Sequence, residues 1–187
     1  MTKLSHLHFT TNYQATNRIL AMGEEPWRVH TVGFPAIDLI KKNNFASREE
    51  LQNRFGLDPM KPIVIFTQHS VTTEFDKASE QTTPSLEAMN KLAGEGVQIV
   101  LTYPNNDAGG LLIIDCLKDF MKLAPPNVQL HRSVGRYNYH GILSLAMDPE
   151  VRCSCVGNSS SGIKETPAFG CPTVNIGSRQ DGRLRAD

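Results

Sequence analysis

Apolar residues along the chain form two alternating patterns. Short continuous apolar runs are typical of buried strands, and longer stretches with apolar residues every three or four positions are typical of amphipathic helices. Strands are predicted at residues 7–10, 29–32, 62–67, 97–102, 128–130, 152–156 and 173–176. Helices are predicted at residues 13–22, 36–41, 85–93, 110–123, 137–147 and 163–169. A further helix opens at Ser47, with Glu50 in the capping-box position, and closes near Gly56.

From about residue 59 onward, strands and helices alternate regularly. Such alternation predicts parallel βαβ units and an α/β fold, a Rossmann-like, doubly wound parallel sheet. The run 62–67 is apolar without interruption, as expected for a central strand that is covered on both faces.

Composition narrows the classes of partner. The 187 residues suffice for one domain, or for one domain and a piece of another, and 40% hydrophobic content is typical of a globular protein. The 19 basic and 19 acidic residues balance, so neither nucleic acid nor an anionic membrane is expected as a partner. We find no membrane span and no signal peptide in the sequence, and the cytoplasm is the expected location.

The four cysteines do not predict a metal site. Cys153 and Cys155 would share one face of a strand, but no second Cys or His pair has the spacing of a zinc site. We interpret these two, together with Cys116 and Cys171, as buried thiols of an intracellular protein.

Polar residues follow three of the predicted strands, in segments 68–70, 103–107 and 157–165. The carboxyl ends of parallel strands meet at one edge of the sheet, where α/β proteins bind their ligands. These three segments therefore predict one ligand crevice.

The segment after the sixth strand favours a phosphate ligand. Ser159, Ser160 and Ser161 are followed by Gly162, which leaves room for a close backbone approach, and by a predicted helix. A single serine N-cap is the simpler alternative. Glu165 lies about one turn further on. Its carboxylate could accept hydrogen bonds from the two hydroxyls of a ribose, or it could simply be a favourable negative charge in the first turn of a helix, and the spacing does not decide between them.

Three further residues are candidates by position. His69 at a strand end could donate to a phosphate or transfer a proton, rather than only belong to a turn. Asn105 either points into the crevice or belongs to a turn, and Arg179 either contacts phosphate or lies in a solvated loop. The other histidines lack such a position and are interpreted as structural: His6, His8, His30, His131 and His140.

Taken together, these motifs resemble a known family over essentially the whole chain. Segments 157–165, 172–177 and 179–183 are similar to the signature of hydrolysing UDP-N-acetylglucosamine 2-epimerases, which open sialic acid and related nonulosonate pathways. Segments 2–9, 32–35 and 103–109 also fit that family.

The resemblance implies the two-domain GT-B fold, with UDP between two Rossmann-like halves. Residues 44–187 would be the UDP-binding second half, shortened at its end, and residues 1–43 the end of the first half and the hinge. His69 matches the family histidine near the diphosphate and reacting sugar, and is our one catalytic candidate. The positions implied to contact UDP are Asn105, Ser133, Ser159, Ser160, Ser161, Gly162 and Arg179, with Glu165 on the ribose.

The implied reaction converts UDP-GlcNAc to N-acetylmannosamine and UDP. The C2 proton is removed, UDP is eliminated to leave 2-acetamidoglucal, and water then adds, with no metal or other cofactor. The family's acid and base residues lie in the first domain, for which we find no matching segment. We therefore expect this chain to bind a uridine nucleotide without turnover and to need the missing N-terminal domain, in a homo-oligomeric full-length enzyme.

Two alternatives stay open at this point. A retaining glycosyltransferase of the GT-B fold also holds ribose with a glutamate near a helix start, although segment 179–183 favours the epimerase. A non-catalytic nucleotide-sugar-binding module is the other. The sequence does not decide between a UDP-sugar and a GDP-sugar.

Overall fold

A computed structural model describes residues 1–185, and the chain divides into two compact units after Asn43. The first unit contains two parallel strands, β1 (His8–Thr10) and β2 (Val29–Thr31), and two helices, α1 (Tyr13–Ala21) and α2 (Ala36–Lys41). The side chain of Asn12 accepts a hydrogen bond from the Ala15 amide at 2.8 Å and so starts α1.

The second unit is built on a five-stranded sheet in which all neighbouring strands are parallel. Its strands are β3 (Ile63–Thr67), β4 (Gln98–Thr102), β5 (Val128–His131), β6 (Cys153–Gly157) and β7 (Thr173–Asn175). The spatial order is β5-β4-β3-β6-β7, so the order reverses beside β3. The predicted parallel α/β fold is confirmed, and the reversal places the expected ligand crevice at the carboxyl ends of β3 and β6.

One helix precedes the sheet, and four connect its successive strands. They are α3 (Arg48–Phe55), α4 (Ala78–Gly94), α5 (Gly110–Met121), α6 (Gly135–Ser144) and α7 (Ser161–Lys164). Shorter 3-10 helices occur at Thr2–Leu4, Pro26–Arg28, Thr72–Lys77, Leu145–Met147 and Thr166–Phe169. The predicted capping box is confirmed: Ser47 accepts from the Glu50 amide at 3.2 Å, and Glu50 accepts from the Ser47 amide at 2.8 Å.

The core lies between the central strands and the helices that cover them. Phe66 of β3 and Leu101 of β4 are fully buried, and Ile113 and Leu117 of α5 pack into the same cluster. Burial of these apolar side chains makes the two central strands a rigid base for the residues at their carboxyl ends.

Two predicted helices have other bounds in the structure. The helix predicted at 85–93 is α4, which begins at Ala78 and contains Pro84. A polar stretch that looks like a loop in sequence is therefore helical, and within it the Thr82 hydroxyl donates to the Ala78 carbonyl at 2.7 Å, a contact that helical geometry permits. The helix predicted at 163–169 is instead two short helices separated at Glu165, because Pro167 has no amide hydrogen with which to continue α7, and a 3-10 helix begins at Thr166.

Within residues 1–185, we find no helix with the length and apolar character needed to span a membrane.

Candidate functional site

A cavity of about 300 Å³, here called the edge cavity, opens at the carboxyl ends of β3, β4, β5 and β6. Its wall includes five residues that the sequence analysis selected: His69, Ser133, Ser159, Ser161 and Glu165. The other four selected residues do not line it: Asn105, Ser160, Gly162 and Arg179. The structure therefore brings three separate chain segments together and divides the candidate residues into two groups.

The turn after β6 depends on Gly157. This residue has φ 137°, and a Cβ atom there would lie 1.9 Å from the carbonyl oxygen of Thr67 on the neighbouring strand. Only glycine permits both this backbone conformation and this close approach. The serine turn can therefore begin directly beside the end of β3.

Asn158 links this turn to His69. Its side-chain oxygen accepts from the His69 amide at 2.6 Å, and its side-chain nitrogen donates to the His69 carbonyl at 2.8 Å. Asn158 is buried, and its own carbonyl accepts from Arg179 at 3.0 Å and from the fully buried Gln180 at 2.7 Å. The sequence analysis missed this role, although Asn158 lies inside the quoted motif; its position directly after a strand was the available signal.

His69 is an uncharged hydrogen-bond donor at neutral pH. Burial, helped by the nearby Arg179 and opposed by Asp107 and the Asn105 contact, lowers the pKa of His69 to about 4. The Asn105 amide donates to Nδ1 at 3.0 Å, so in the neutral ring the proton is on Nε2. This side chain can therefore donate Nε2–H to an anionic oxygen in the cavity.

The serine turn presents hydroxyl groups to the edge cavity. The hydroxyls of Ser159 and Ser161 are 3.1 Å apart, and the Tyr139 hydroxyl lies 2.6 Å from that of Ser161. The amides of Gly162 and Ile163 already donate to carbonyls within the turn. α7 has only four residues, and the side chains of Ser159 and Ser161, just before it and at its first residue, line the edge cavity.

Ser160 and Gly162 support this turn from within. The Ser160 carbonyl accepts from the amides of Ile163 and Lys164, at 3.2 and 3.0 Å. A Cβ atom at Gly162 would lie 3.0 Å from the Thr173 side chain, so this glycine faces β7 and not the edge cavity. The chemical groups of the turn that reach the cavity thus belong to the serines on either side of Ser160.

Glu165 contacts a residue that the sequence analysis set aside. Its Oε2 atom is 2.6 Å from Nε2 of His140, which is fully buried on α6. The interpretation of His140 as merely structural overlooked this contact, because the pairing joins positions 25 residues apart. Spacing within one helix could not reveal it.

Asn105 and Arg179 form a second polar group beside the cavity. Asn105 donates from its side chain to Asp107 at 2.6 Å, and Arg179 lies 3.6 Å from the same carboxylate. The backbone amide of Asn105 also donates to His69, and Arg179 donates to the carbonyl of Asn158. Ser133, in contrast, lines the cavity, and its hydroxyl accepts from the Gly135 amide at 3.0 Å.

The cysteines remain free thiols. Cys153, Cys155 and Cys171 are buried as predicted, whereas Cys116 is half-buried. Burial raises the pKa of Cys155 to about 11, so this thiol stays protonated at neutral pH. In the part of the chain that the structure describes, no group of three or more His, Cys, Asp or Glu side chains is placed to bind a metal ion.

Comparison with known sequences places the chain in one family. Residues 1–187 match the family model described as UDP-N-acetylglucosamine 2-epimerase. A Campylobacter jejuni protein named GDP/UDP-N,N'-diacetylbacillosamine 2-epimerase (hydrolyzing) is 31% identical over 99% of this chain and 46% of its own length. A UDP-N-acetylglucosamine 2-epimerase of Neisseria meningitidis is 33% identical over 98% of this chain and 45% of its own. The chain thus spans about half the length of these relatives.

Solved structures support the same fold. The S. aureus MnaA structure with UDP superposes with a TM-score of 0.65 at 17% identity, over 97% of this chain and 45% of that one. The structure of the Neisseria meningitidis UDP-GlcNAc 2-epimerase bound to UDP-GlcNAc superposes with a TM-score of 0.64 at 16% identity, over 93% of this chain and 45% of that one. The predicted Rossmann-like, GT-B-type architecture is confirmed. This chain belongs to the UDP-N-acetylglucosamine 2-epimerase family.

Proposed function

We propose that this chain is the nucleotide-binding half of a hydrolysing UDP-N-acetylglucosamine 2-epimerase. The observation that carries the proposal is the edge cavity, in which hydroxyls, a neutral imidazole and a carboxylate from separate segments meet. The hydroxyls and the imidazole suit a diphosphate, and the carboxylate suits the hydroxyls of a ribose. Residues 1–43 are then the end of the first domain and the hinge, and residues from 44 onward form the UDP-binding domain.

Five of the residues that line the cavity are given a role in holding UDP. Ser159 and Ser161 donate hydroxyl protons to phosphate oxygens, and Nε2–H of His69 adds a donor near the bond to the sugar. Glu165 accepts from a ribose hydroxyl, and Ser133, which also lines the cavity, borders the nucleotide. Because net charge is zero, these local contacts rather than a general positive field attract the ligand.

Asn105 and Arg179 act in this proposal through their neighbours. Asn105 fixes the tautomer of His69, and Arg179 holds the carbonyl of Asn158 while it adds positive charge beside the diphosphate. Ser160 and Gly162 shape the turn. The direct UDP contacts expected for these four residues become, in part, indirect ones.

The reaction proposed for the whole enzyme has two steps. A base takes the C2 proton as the bond from C1 to the UDP oxygen breaks, which gives 2-acetamidoglucal and UDP. Water then adds across the double bond, with its hydroxyl at C1. A proton is added at C2 on the face opposite to the one from which the first proton was removed, which inverts C2 and gives N-acetylmannosamine. The hydroxyls and His69 stabilise the negative charge that develops on the leaving diphosphate.

The acid and base of that reaction are proposed to come from the other half of the enzyme. In the edge cavity, His69 is a neutral donor and Glu165 is engaged by His140, so neither is placed as the C2 base. We also propose that the product enters sialic acid or nonulosonate synthesis, that the enzyme works in the cytoplasm and that it forms homo-oligomers.

Calorimetric titration tests the nucleotide assignment. We expect this chain to bind UDP, and Glu165→Ala to weaken UDP binding about tenfold, as for loss of a hydrogen bond to a charged group. Glu150→Ala, an exposed glutamate outside the cavity, is the matched control. Equal UDP affinity of wild type and Glu165→Ala would refute the ribose-binding role.

A coupled assay for UDP release tests the division of labour. Because the proton-transfer groups are assigned to the other half, this chain should not turn over UDP-GlcNAc. Substantial turnover would refute that assignment.

A further inference from the structure

Two consecutive residues of α6 contact the two chemical parts of the edge cavity. Tyr139 reaches the serine hydroxyls, and His140 reaches the carboxylate of Glu165. The His140 side chain is fully buried, whereas that of Glu165 keeps 17% of its surface exposed. Glu165 is therefore held from the protein side and open on the cavity side.

The proton positions follow from chemistry. An ionised carboxylate only accepts hydrogen bonds, so the 2.6 Å contact requires a proton on Nε2 of His140. Hydrogen bonds to the Glu165 carboxylate within residues 1–185 involve Oε2 alone. Oε1 is thus the oxygen left for a ligand hydroxyl.

The ring of His140 is fixed by its neighbours. Its centroid lies 5.5 Å from that of Phe169 and 6.4 Å from that of Tyr139. Nδ1 of the ring is buried and has no hydrogen-bond partner in the described part of the chain, so the ring makes its polar contact through Nε2. The titratable groups near this pair are Tyr139 and Cys155.

We propose that His140 is a positioning residue that orients Glu165 for ribose recognition. By holding Oε2, it stops rotation of the carboxylate and keeps Oε1 directed at the nucleotide. This inference rests on the proposed function, since it assumes that Glu165 contacts the ribose. The inference adds that the preference for nucleotides with ribose hydroxyls over those without them depends on His140, a buried residue that does not line the edge cavity.

A purely structural pair would behave differently. If the His140–Glu165 contact only joined α6 to the segment that contains Glu165, its loss would weaken binding of any nucleotide equally. If His140 positions Glu165, its loss weakens only those ligands that carry ribose hydroxyls. Comparison of UDP with 2′,3′-dideoxy-UDP separates these two cases.

The variants are His140→Gln and His140→Asn, which carry the same amide group on side chains of different length. The amide nitrogen of glutamine can replace Nε2, whereas that of asparagine falls one methylene short of Glu165. We expect His140→Asn to weaken UDP binding about tenfold, with dideoxy-UDP affinity changed less than about twofold. His140→Gln should restore UDP affinity to within about threefold of wild type.

Circular dichroism and thermal unfolding establish that each variant is folded before titration. Because each variant is judged by the ratio of its two affinities, a moderate loss of stability does not obscure the result. Should His140→Asn not fold, His140→Leu, which carries no hydrogen-bond donor, takes its place: a lost preference for UDP supports positioning, and a preference kept unchanged overturns it.

Two outcomes would overturn the proposal in distinguishable ways. Wild-type chain that binds UDP and dideoxy-UDP equally would refute the ribose role of Glu165, and the proposed function of this residue with it. Wild-type preference for UDP that persists unchanged in His140→Asn would overturn the positioning role alone and leave the nucleotide site intact.

Discussion

Two groups of polar residues at the same sheet edge differ in what their side chains face. The cavity group, His69, Ser133, Ser159, Ser161 and Glu165, lines the edge cavity. The bracing group, Asn105, Asp107, Asn158 and Arg179, hydrogen-bonds or ion-pairs within itself and with the backbone around His69. Both groups follow predicted strands, and only three-dimensional pairing separates them.

The difference shows how residues at one sheet edge divide between facing a ligand and holding the site in shape. Bracing residues satisfy one another and fix the positions of His69 and the serine turn, while cavity residues line the space that is open to a ligand. Losses in the bracing group should therefore appear in stability and binding together, and losses in the cavity group in binding alone.

The largest effect is expected at Gly157, which both groups need. Gly157→Ala would place Cβ 1.9 Å from the Thr67 carbonyl oxygen, so β3 and β6 must separate. We expect the free energy of unfolding in urea to fall by at least about 4 kcal/mol. Gly170→Ala, also at positive φ but with open space around it, should cost only about 1 kcal/mol. Similar losses in both variants would contradict this account.

Asn158 is the strongest test of the bracing group. Asn158→Ala removes both hydrogen bonds to the His69 backbone and leaves their partners unsatisfied in a buried place. We expect a loss of about 3 kcal/mol in unfolding free energy, together with weaker UDP binding. If urea unfolding is unchanged while titration shows weaker binding, Asn158 belongs with the cavity group.

For Ser159 we expect weaker UDP binding without a large loss of stability, the opposite of the result expected for Asn158. Ser159→Ala removes a cavity hydroxyl, so UDP affinity measured by calorimetry should fall about fivefold and stability should change by less than about 1 kcal/mol. Ser154→Ala, on β6 and away from the edge cavity, serves as the matched control. A destabilisation of Ser159→Ala as large as that of Asn158→Ala would remove the distinction between the groups.

The smallest effects are expected in the protonation of His69. Its folded-state pKa is lowered to about 4, chiefly by burial, below the usual 6.5. The neutral form is thus favoured by folding, and the stability that this residue contributes is present above pH 6.5 and lost as pH falls toward 4.

Nuclear magnetic resonance titration of the imidazole should report this low pKa. Arg179→Ala should raise the pKa of His69 and Asp107→Asn should lower it, because these two charges act in opposite directions. Titration of wild-type His69 near 6.5, or shifts of the same sign in both variants, would contradict the described geometry.

Much of the fold was accessible from the sequence, because apolar runs such as 62–67 and 97–102 leave few alternatives to buried parallel strands. The start of α4 was not accessible, since its first turns hold threonines and Pro84. The polar segments that follow three of the strands were correctly predicted to meet at one crevice. What could not be predicted was pairing across the fold: His140 with Glu165, and Asn158 with His69, join residues far apart in the chain.

The most direct test of the account is to map UDP on the chain by amide chemical-shift perturbation. We predict that the largest shifts fall around His69, Ser133, Ser159 and Glu165, at the edge cavity. A second cavity of about 410 Å³ lies between α4 and α5, lined by residues such as Leu86 and Phe120, and provides an internal comparison. Shifts concentrated between α4 and α5, with the edge cavity unaffected, would contradict the claim that the edge cavity holds the nucleotide.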